Sequence, residues 1–230
     1  PTFDRIVANI KNAARHVPKY KISLIVRINL EKSSYEDVEQ IFAEAGYQIH
    51  SKMLRFGVNP FEDQTGEIDL VVICGGDGTV NYVVNAMRTK GLDYPLGIIP
   101  AGTANDFAGA IGISSRPLTA ARQIALGVEQ RVDCGKVNDM YFVNIFSFGM
   151  FTTTSQHTPD KIKKRLGKAA YLIEGSKELH NREYIPLHIV YDDGQVDVDS
   201  MMTLVFNGET AGKFPIARTA SIRDGLLDLM

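Results

Sequence analysis

The chain contains little of what a disulfide-stabilised, metal-cluster or membrane-spanning protein needs. Its 230 residues include two cysteines, Cys74 and Cys134, which are too few for a disulfide framework or a cysteine-based metal site. No apolar stretch approaches the ~20 residues that span a bilayer, and the residues after Pro1 carry no secretory signal pattern. These absences favour a reducing cytoplasm as the location.

A large charge imbalance is also missing. The net charge is −2, with 44% hydrophobic and 23% charged residues, which is an ordinary globular balance. Proteins that hold nucleic acid through bulk charge are strongly basic, so we expect no nucleic-acid partner. The length allows one large or two small domains.

Alternating strand and helix patterns in the first half predict an α/β domain over residues 1–128, with a mostly parallel sheet and helices on both faces. Strands are expected at Lys21–Ile28, at Tyr47–Phe56, from Ile68 and from Leu96. Helices are expected over residues 3–15, from Ser34 to Ala45, after Asp77, after Asn105 and from Pro117 to Leu126.

The second half has a different character. Short apolar runs alternate with polar residues after residue 129, and Asp192-Asp193-Gly194 reads as a hairpin turn. One long helix is expected from about Pro159 to His180. Residues 129–230 therefore predict an antiparallel β-rich domain with a helical insertion.

The stretch at residues 68–80 reads I-D-L-V-V-I-C-G-G-D-G-T-V. A buried strand followed by a glycine-rich loop and a helix directs backbone N–H groups at one spot, which suits a phosphate. A carboxylate there, Asp77, is understandable if it holds a cation, orders water or takes a proton. The alternative is a tight turn in which the glycines adopt positive φ and Asp77 caps the helix.

A second loop has a related composition. Residues 95–108 read P-L-G-I-I-P-A-G-T-A-N-D-F-A, a short strand, a Gly-Thr turn and the start of a helix. Neighbouring parallel strands end at the same edge of a sheet, where ligands bind. The two loops are therefore expected to face one nucleotide from two sides, although two ordinary turns would also explain the glycines.

With these residues the chain resembles the catalytic domain of the diacylglycerol kinase and sphingosine kinase superfamily, and is most similar to its soluble bacterial lipid kinases. The resemblance covers about residues 66–230. It is carried, in order, by G-G-D-G-T-V-N, by P-A-G-T-A-N-D-F-A, by R-V-D-C-G-K-V with Y-F-V-N-I-F-S-F-G, and by A-S-I-R-D-G-L-L-D.

The resemblance implies a lipid kinase that uses ATP and Mg²⁺. The implied catalytic residues are Asp77 and Asp106, which would arrange the catalytic cation. The implied nucleotide-binding residues are Gly75, Gly76, Gly78, Thr79, Gly102, Thr103 and Asn105. A second Mg²⁺ would be held by Ser221, Asp224 and Leu226, through one carboxylate and two main-chain oxygens; an Asp-Gly turn is the alternative there.

Two departures from the family pattern stand out. The first predicted strand leads to R-I-N-L-E-K-S-S rather than to an Asn-Pro-x-Ser/Gly loop, and Asn29 is the nearest remnant. The family's Asp-Gly-Glu segment, whose carboxylate serves as proton acceptor, has no counterpart here, and its role is not transferred to Glu209. The resemblance thus implies either that the second domain is incomplete at residue 230 or that the chain is inactive as it stands.

For partners, the resemblance implies a lipid substrate reached by peripheral association with a membrane surface, and it leaves a homodimer open. The basic run K-I-K-K-R-L-G-K at residues 161–168 would attract anionic lipid, or is simply a solvated helix face. Two other functions stay open at this point. One is an NAD kinase, which shares a Gly-Gly-Asp-Gly loop, and the other is a non-catalytic nucleotide- or lipid-binding regulator.

Overall fold

The computed structural model describes residues 2–8, 21–26, 32–55, 57–63, 68–149 and 184–230. By contacts the chain divides into two compact units, residues 1–145 with 206–228, and residues 146–205 with 229–230. Residues 129–145 and 206–228 therefore pack with the first unit. The domain boundary predicted at residue 128 stays a prediction.

The centre of the first unit is a six-stranded sheet. Its strands are Thr2–Ala8 (β1), Lys21–Val26 (β2), Gln48–Met53 (β3), Leu70–Gly75 (β4), Leu96–Pro100 (β5) and Val128–Asp133 (β6). Their order is β3-β2-β4-β5-β1-β6. The first five pair in parallel and β6 pairs antiparallel to β1, which confirms the predicted α/β region with parallel strands.

Four helices are described in this unit: Lys32–Glu44 (α1), Asp77–Thr89 (α2), Asp106–Ala110 (α3) and Pro117–Ala125 (α4). The predicted helices from Ser34, after Asp77, after Asn105 and from Pro117 correspond to these four. In α2, Val80, Val83, Val84 and Met87 are buried at helical spacing, and so this face packs into the core.

The core forms around β4 and β5, whose residues are all buried. A strand buried on both faces needs an uninterrupted apolar run, which V-V-I-C and L-G-I-I supply. Cys74 is fully buried within β4, and burial raises the pKa of its thiol to about 12. Cys74 is thus a neutral packing residue.

The helix predicted over residues 3–15 is wrong where the structure describes it, because Thr2–Ala8 is a strand. Phe3, Ile6 and Val7 are spaced like one face of a helix, but periodicity over so few residues does not separate helix from strand. Strand pairing determines the structure of this segment, because β1 lies between β5 and β6 in the sheet.

The remaining strands are short and form antiparallel pairs or small sheets. They are Gly135–Val137 (β7), Met140–Phe142 (β8), Ile145–Gly149 (β9), Ile185–Tyr191 (β10), Gly194–Ser200 (β11), Met202–Phe206 (β12), Thr210–Ala211 (β13), Phe214–Pro215 (β14) and Asp228–Leu229 (β15). The pairs are β7–β8, β10–β11 and β13–β14, and β15, β12 and β9 form a three-stranded sheet. The predicted β-rich second half is confirmed.

The predicted hairpin turn is also confirmed, because β10 and β11 pair from Ile185↔Ser200 to Tyr191↔Gly194 around Asp192-Asp193. The helix expected from Pro159 to His180, the basic run at 161–168 and Asn29 lie outside the described residues. No helix in the described part of the chain is long and apolar enough to cross a membrane.

Candidate functional site

The two glycine loops meet at the edge where β4 and β5 end. We call residues Gly75–Thr79 the first loop and residues Gly102–Asp106 the second loop. The N–H of Ala101 donates to the carbonyl of Gly75 at 3.0 Å. A Cβ added to Gly102 would lie 2.5 Å from the Cα of Gly76. The two loops are therefore in backbone contact at this edge of the sheet, and the nucleotide expected between them stays a prediction.

Close approach of neighbouring atoms, rather than positive φ, accounts for Gly75 and Gly76. Gly75, Gly76 and Gly78 are not among the described residues with positive φ. A side chain on Gly75 would collide with Thr79, and one on Gly76 would approach Gly102 to 3.0 Å. The tight-turn alternative, with positive φ and Asp77 as helix cap, is therefore wrong. Gly76 occupies the N-cap position of α2, and Asp77 follows in the first turn.

Asp77 points its carboxylate at the start of the neighbouring helix. Oδ2 accepts a hydrogen bond from the N–H of Asp106 at 3.2 Å, and Oδ1 accepts one from the N–H of Phe107 at 2.9 Å. These N–H groups have no partner within α3, so Asp77 caps the second loop's helix from a distance. The residue is half-buried. A carboxylate has about four acceptor positions, which leaves two for other groups.

Asp106 has a different environment. It is 8% exposed, and its oxygens accept from the hydroxyl of Thr210 at 3.0 Å, the N–H of Gly212 at 2.6 Å and the N–H of Lys213 at 2.8 Å. These donors belong to the β13–β14 hairpin. Most of the acceptor capacity of Asp106 is therefore used to hold the hairpin against α3.

A small cleft of about 240 Å³ opens beside both carboxylates. We call it the Asp77 cleft. Its lining residues are Asp77, Gly78, Asn81, Asp106, Val143, Asn144 and Ile145. Gly78 has nothing within 4 Å of the position where a Cβ would be. The first turn of α2 is thus open toward solvent, with the N–H groups of Asp77 and Gly78 donating to no described residue.

The other residues predicted to bind nucleotide have mixed settings. Thr79 is 1% exposed and its hydroxyl has no hydrogen-bond partner among the described residues, so its side chain packs beneath Gly75. Thr103 and Gly102 are exposed. Asn105 adopts a left-handed conformation (φ 56°). Its side chain closes the second loop, because Oδ1 accepts from the N–H of Gly102 at 2.8 Å and Nδ2 donates to the carbonyl of Gly102 at 2.9 Å.

The predicted C-terminal metal residues lie in a pair of turns. Asp224 is exposed and one of its oxygens accepts from the N–H of Leu226 at 3.1 Å. The main-chain oxygens of Ser221 and Leu226 accept no hydrogen bond from the described residues. One carboxylate oxygen and two carbonyls are oxygen ligands of the type that hard cations bind, and the Mg²⁺ site at these residues stays a prediction.

Sequence reasoning missed Asp133. This side chain is 8% exposed, and its Oδ2 accepts from the N–H of Gly225 at 2.7 Å. Gly225 has a φ of 75°, and so Asp133 fixes the turn that carries Asp224. The R-V-D-C-G-K-V segment contains Asp133. A single acidic residue at a strand end does not indicate that it binds Gly225, which lies 92 positions away in the sequence.

Four asparagines were also missed. They connect α2, residues 141–144 and β13. Asn85 exchanges two hydrogen bonds with the backbone of Tyr141, at 2.7 and 2.8 Å. Asn81 accepts from the N–H of Val143, Asn144 donates to the carbonyl of Thr210, and Asn207 donates to the carbonyls of Asp133 and Val143. Asparagines directly after apolar strand runs, as in Y-F-V-N and L-V-F-N, were the available signal.

No cluster of three or more His, Cys, Asp and Glu side chains that could hold a metal occurs in the described ranges. His188 pairs with Asp197 at 2.7 Å across the exposed β10–β11 hairpin.

Comparison with known proteins points to one family. The family model described as "Diacylglycerol kinase catalytic domain" matches residues 28–137. A diacylglycerol kinase of Bacillus subtilis (strain 168) is 33% identical over 228 residues, 98% of this chain and 72% of that protein. One from Staphylococcus epidermidis (strain ATCC 35984) is 33% identical over 207 residues, 88% of this chain and 62% of that protein.

A solved structure agrees with these sequence matches. The crystal structure of a diacylglycerol kinase from Bacillus anthracis str. Sterne superposes with a TM-score of 0.72 and 25% sequence identity. The match covers 93% of this chain and 73% of that one. The chain thus spans between about three fifths and three quarters of the length of these relatives.

Proposed function

This chain belongs to the diacylglycerol kinase family, and we propose that it transfers the γ-phosphate of ATP to the hydroxyl of diacylglycerol or a related lipid. The family membership favours this reaction over an NAD kinase. In this proposal the sheet-centred part of the chain, residues 1–128, binds ATP, and residues 129–230 contribute to the lipid site. The protein would reach its lipid by peripheral association with a membrane surface.

One observation supports the proposal most strongly. The two glycine loops touch through Gly76 and Gly102, and Asp77 lies beside this contact with acceptor capacity unused. The N–H groups of Asp77 and Gly78 donate to no described residue, and both residues line the Asp77 cleft. A helix N-terminus attracts phosphate, while a carboxylate repels it.

A divalent cation at Asp77 would remove the repulsion between the carboxylate and a phosphate at the helix N-terminus. Asp77 would hold Mg²⁺, which would neutralise the negative charge that develops during transfer. Asp77 fits this role, because two of its acceptor positions are unused. Asp106 fits it less well, since it already accepts three hydrogen bonds. We therefore propose that Asp77 holds the catalytic cation and that Asp106 acts by holding the hairpin.

The remaining residues of the chain would orient the reactants. Gly76, Gly78 and Thr103 would let the phosphates approach the backbone closely, and Asn105 would fix the second loop through its two hydrogen bonds to Gly102. The lipid hydroxyl would enter the Asp77 cleft. Phosphoryl transfer asks mostly for positioning and charge neutralisation, which such an arrangement can supply.

A transfer assay tests the proposal. The protein expressed from its complete reading frame is incubated with radiolabelled ATP, Mg²⁺ and mixed micelles that contain diacylglycerol, sphingosine or ceramide, or with NAD in solution. We expect labelled phosphatidic acid in the diacylglycerol arm. Labelled product with NAD alone would move the chain to the alternative function. ATP binding without any labelled product would support a non-catalytic regulator.

A second experiment tests the C-terminal cation site. Mg²⁺ that binds only the folded state stabilises it by about 2.7 kcal/mol at 100 times its dissociation constant. We expect the melting temperature to rise with Mg²⁺ in the absence of ATP, and Asp224→Ala to remove this rise. An unchanged Mg²⁺ response in the variant would place the cation elsewhere. Asp197→Ala, on the exposed β10–β11 hairpin, serves as the matched control.

A further inference from the structure

The turn between β13 and β14 holds a lysine in an unfavourable backbone conformation. Gly212 has a φ of 60° and Lys213 a φ of 70°. Two consecutive positive φ angles in a two-residue hairpin loop are typical of a type I′ turn, which strongly prefers glycine, asparagine and aspartate. Among the described residues three non-glycine side chains have positive φ, and the other two are Asn105 and Asn138. Lysine gains nothing locally from such a position.

Asp106 maintains this conformation. Its carboxylate accepts the N–H groups of both turn residues and the hydroxyl of Thr210. Strain in a left-handed residue persists where surrounding contacts determine the backbone, and it occurs frequently at ligand-binding sites. Because glycine would form the same turn without strain, the side chain of Lys213 itself calls for an explanation.

The side chain lines a second cleft of about 740 Å³, which we call the Lys213 cleft. This volume falls in the range of ligand pockets. The floor is apolar, formed by the buried Ile111, Ala220 and Ile222, and the polar lining includes Asn105, Ser221 and Arg223. Neither Lys213 nor Arg223 forms an ion pair with any described residue. Two unpaired cations therefore border one cleft.

We propose that Lys213, together with Arg223, binds the phosphate of a phosphate ester in this cleft. The inference deepens the proposed function, since either the nucleotide or the phosphorylated lipid product would bring such a group. Two carboxylates also line the cleft. Asp106 is occupied by its three hydrogen bonds, and Glu209 is exposed. Glu209 is therefore the one competing charge with free acceptor positions among the described lining residues.

The positive φ of Lys213 allows a glycine variant that introduces no backbone strain. Lys213→Gly removes the cation and suits a φ of 70°, so we expect the melting temperature to stay the same or rise. Lys213→Arg keeps the charge. Lys90→Gly removes an exposed lysine at the end of α2 that lines neither cleft, and is the matched charge control.

Binding is measured by calorimetric titration of the chain with MgATP and, separately, with dioctanoyl phosphatidic acid, each at low and high salt. We expect Lys213→Gly to weaken one of the two probes about tenfold, as loss of a charge-assisted hydrogen bond does, and to flatten the salt dependence of that probe. Weaker MgATP binding identifies the nucleotide as the source of the phosphate, and weaker phosphatidic acid binding identifies the lipid.

Lys213→Arg should bind the same probe within about threefold of the unmodified chain, since a cation is retained. Equal affinity of Lys213→Gly and the unmodified chain for both probes would overturn the inference, and so would an equal loss in Lys90→Gly. A loss of affinity in Glu209→Gln would also contradict it, because removing a negative charge should favour an anion. None of these readouts depends on transfer activity, so failure here is distinct from failure of the proposed function.

Discussion

The first and second loops look alike in sequence but use their aspartates in opposite ways. Both follow a buried parallel strand, both combine glycine with threonine, and both place an aspartate at a helix start. Asp77 is half-buried and accepts two hydrogen bonds, whereas Asp106 is buried and accepts three. A sequence motif therefore identifies where a carboxylate lies, while the acceptor positions that it leaves unused indicate whether it can bind a cation.

The two aspartates are also connected in series. Asp77 accepts the N–H of Asp106 itself, and Asp106 accepts the N–H groups of the β13–β14 turn. The first loop therefore holds the second, and the second holds the hairpin. A disturbance of Asp106 should affect folding, while a change of charge at Asp77 should mainly affect chemistry.

The largest effect is expected for Asp106→Ala. Two N–H groups and one hydroxyl lose their acceptor, at about 1–3 kcal/mol for each group that stays buried. We expect the free energy of unfolding in urea to fall by about 4 kcal/mol. A loss below about 1 kcal/mol would contradict the difference proposed between Asp77 and Asp106, because Asp106 would then not be a structural residue.

The next largest loss of stability is expected for Gly102→Ala. In Gly102→Ala the new Cβ would lie 2.5 Å from the backbone of Gly76, so the loops must separate. We expect a loss of about 2–3 kcal/mol. Gly78→Ala is the matched control, since nothing lies within 4 Å of that position and alanine favours the helix by about 1 kcal/mol. Equal destabilisation of both variants in thermal unfolding would mean that the loops do not touch.

A smaller effect is expected for Thr210→Val. This variant removes one of the three donors to Asp106 and keeps the two N–H groups. Loss of a single hydrogen bond of this kind amounts to about 1 kcal/mol. A loss as large as that of Asp106→Ala, measured in the same urea titration, would show that the turn's N–H groups contribute nothing.

Much of the first unit could be predicted from the sequence. V-V-I-C and L-G-I-I are short apolar runs bounded by glycine and proline, and such runs become buried parallel strands. Helix α4 begins at Pro117, a residue favoured in a first turn. The strand at Thr2–Ala8 could not be predicted, because its place between β5 and β6 depends on pairing with segments about 90 to 130 residues away.

The candidate site could be predicted in part. Gly-Gly-Asp-Gly and Gly-Thr-Ala-Asn-Asp located the two loops and both aspartates. The hydrogen bonds of Asp133 and Asn207 could not be found from the sequence, because each joins groups more than 60 positions apart. Such partners become neighbours only through the tertiary fold, and no local pattern records them.

In the proposed function Asp77 holds the catalytic cation, whereas Asp106 has a structural role. The most direct test compares Asp77→Asn with Asp106→Asn in single-turnover transfer from radiolabelled ATP to diacylglycerol, with each rate divided by the folded fraction in the same buffer. We predict that Asp77→Asn lowers this rate more than about 100-fold, equivalent to ~2.7 kcal/mol in the barrier, and that Asp106→Asn lowers it less than about tenfold while losing more stability. A folded Asp77→Asn that keeps more than about a tenth of the rate, or an Asp106→Asn that loses as much rate per folded molecule, would contradict the claim.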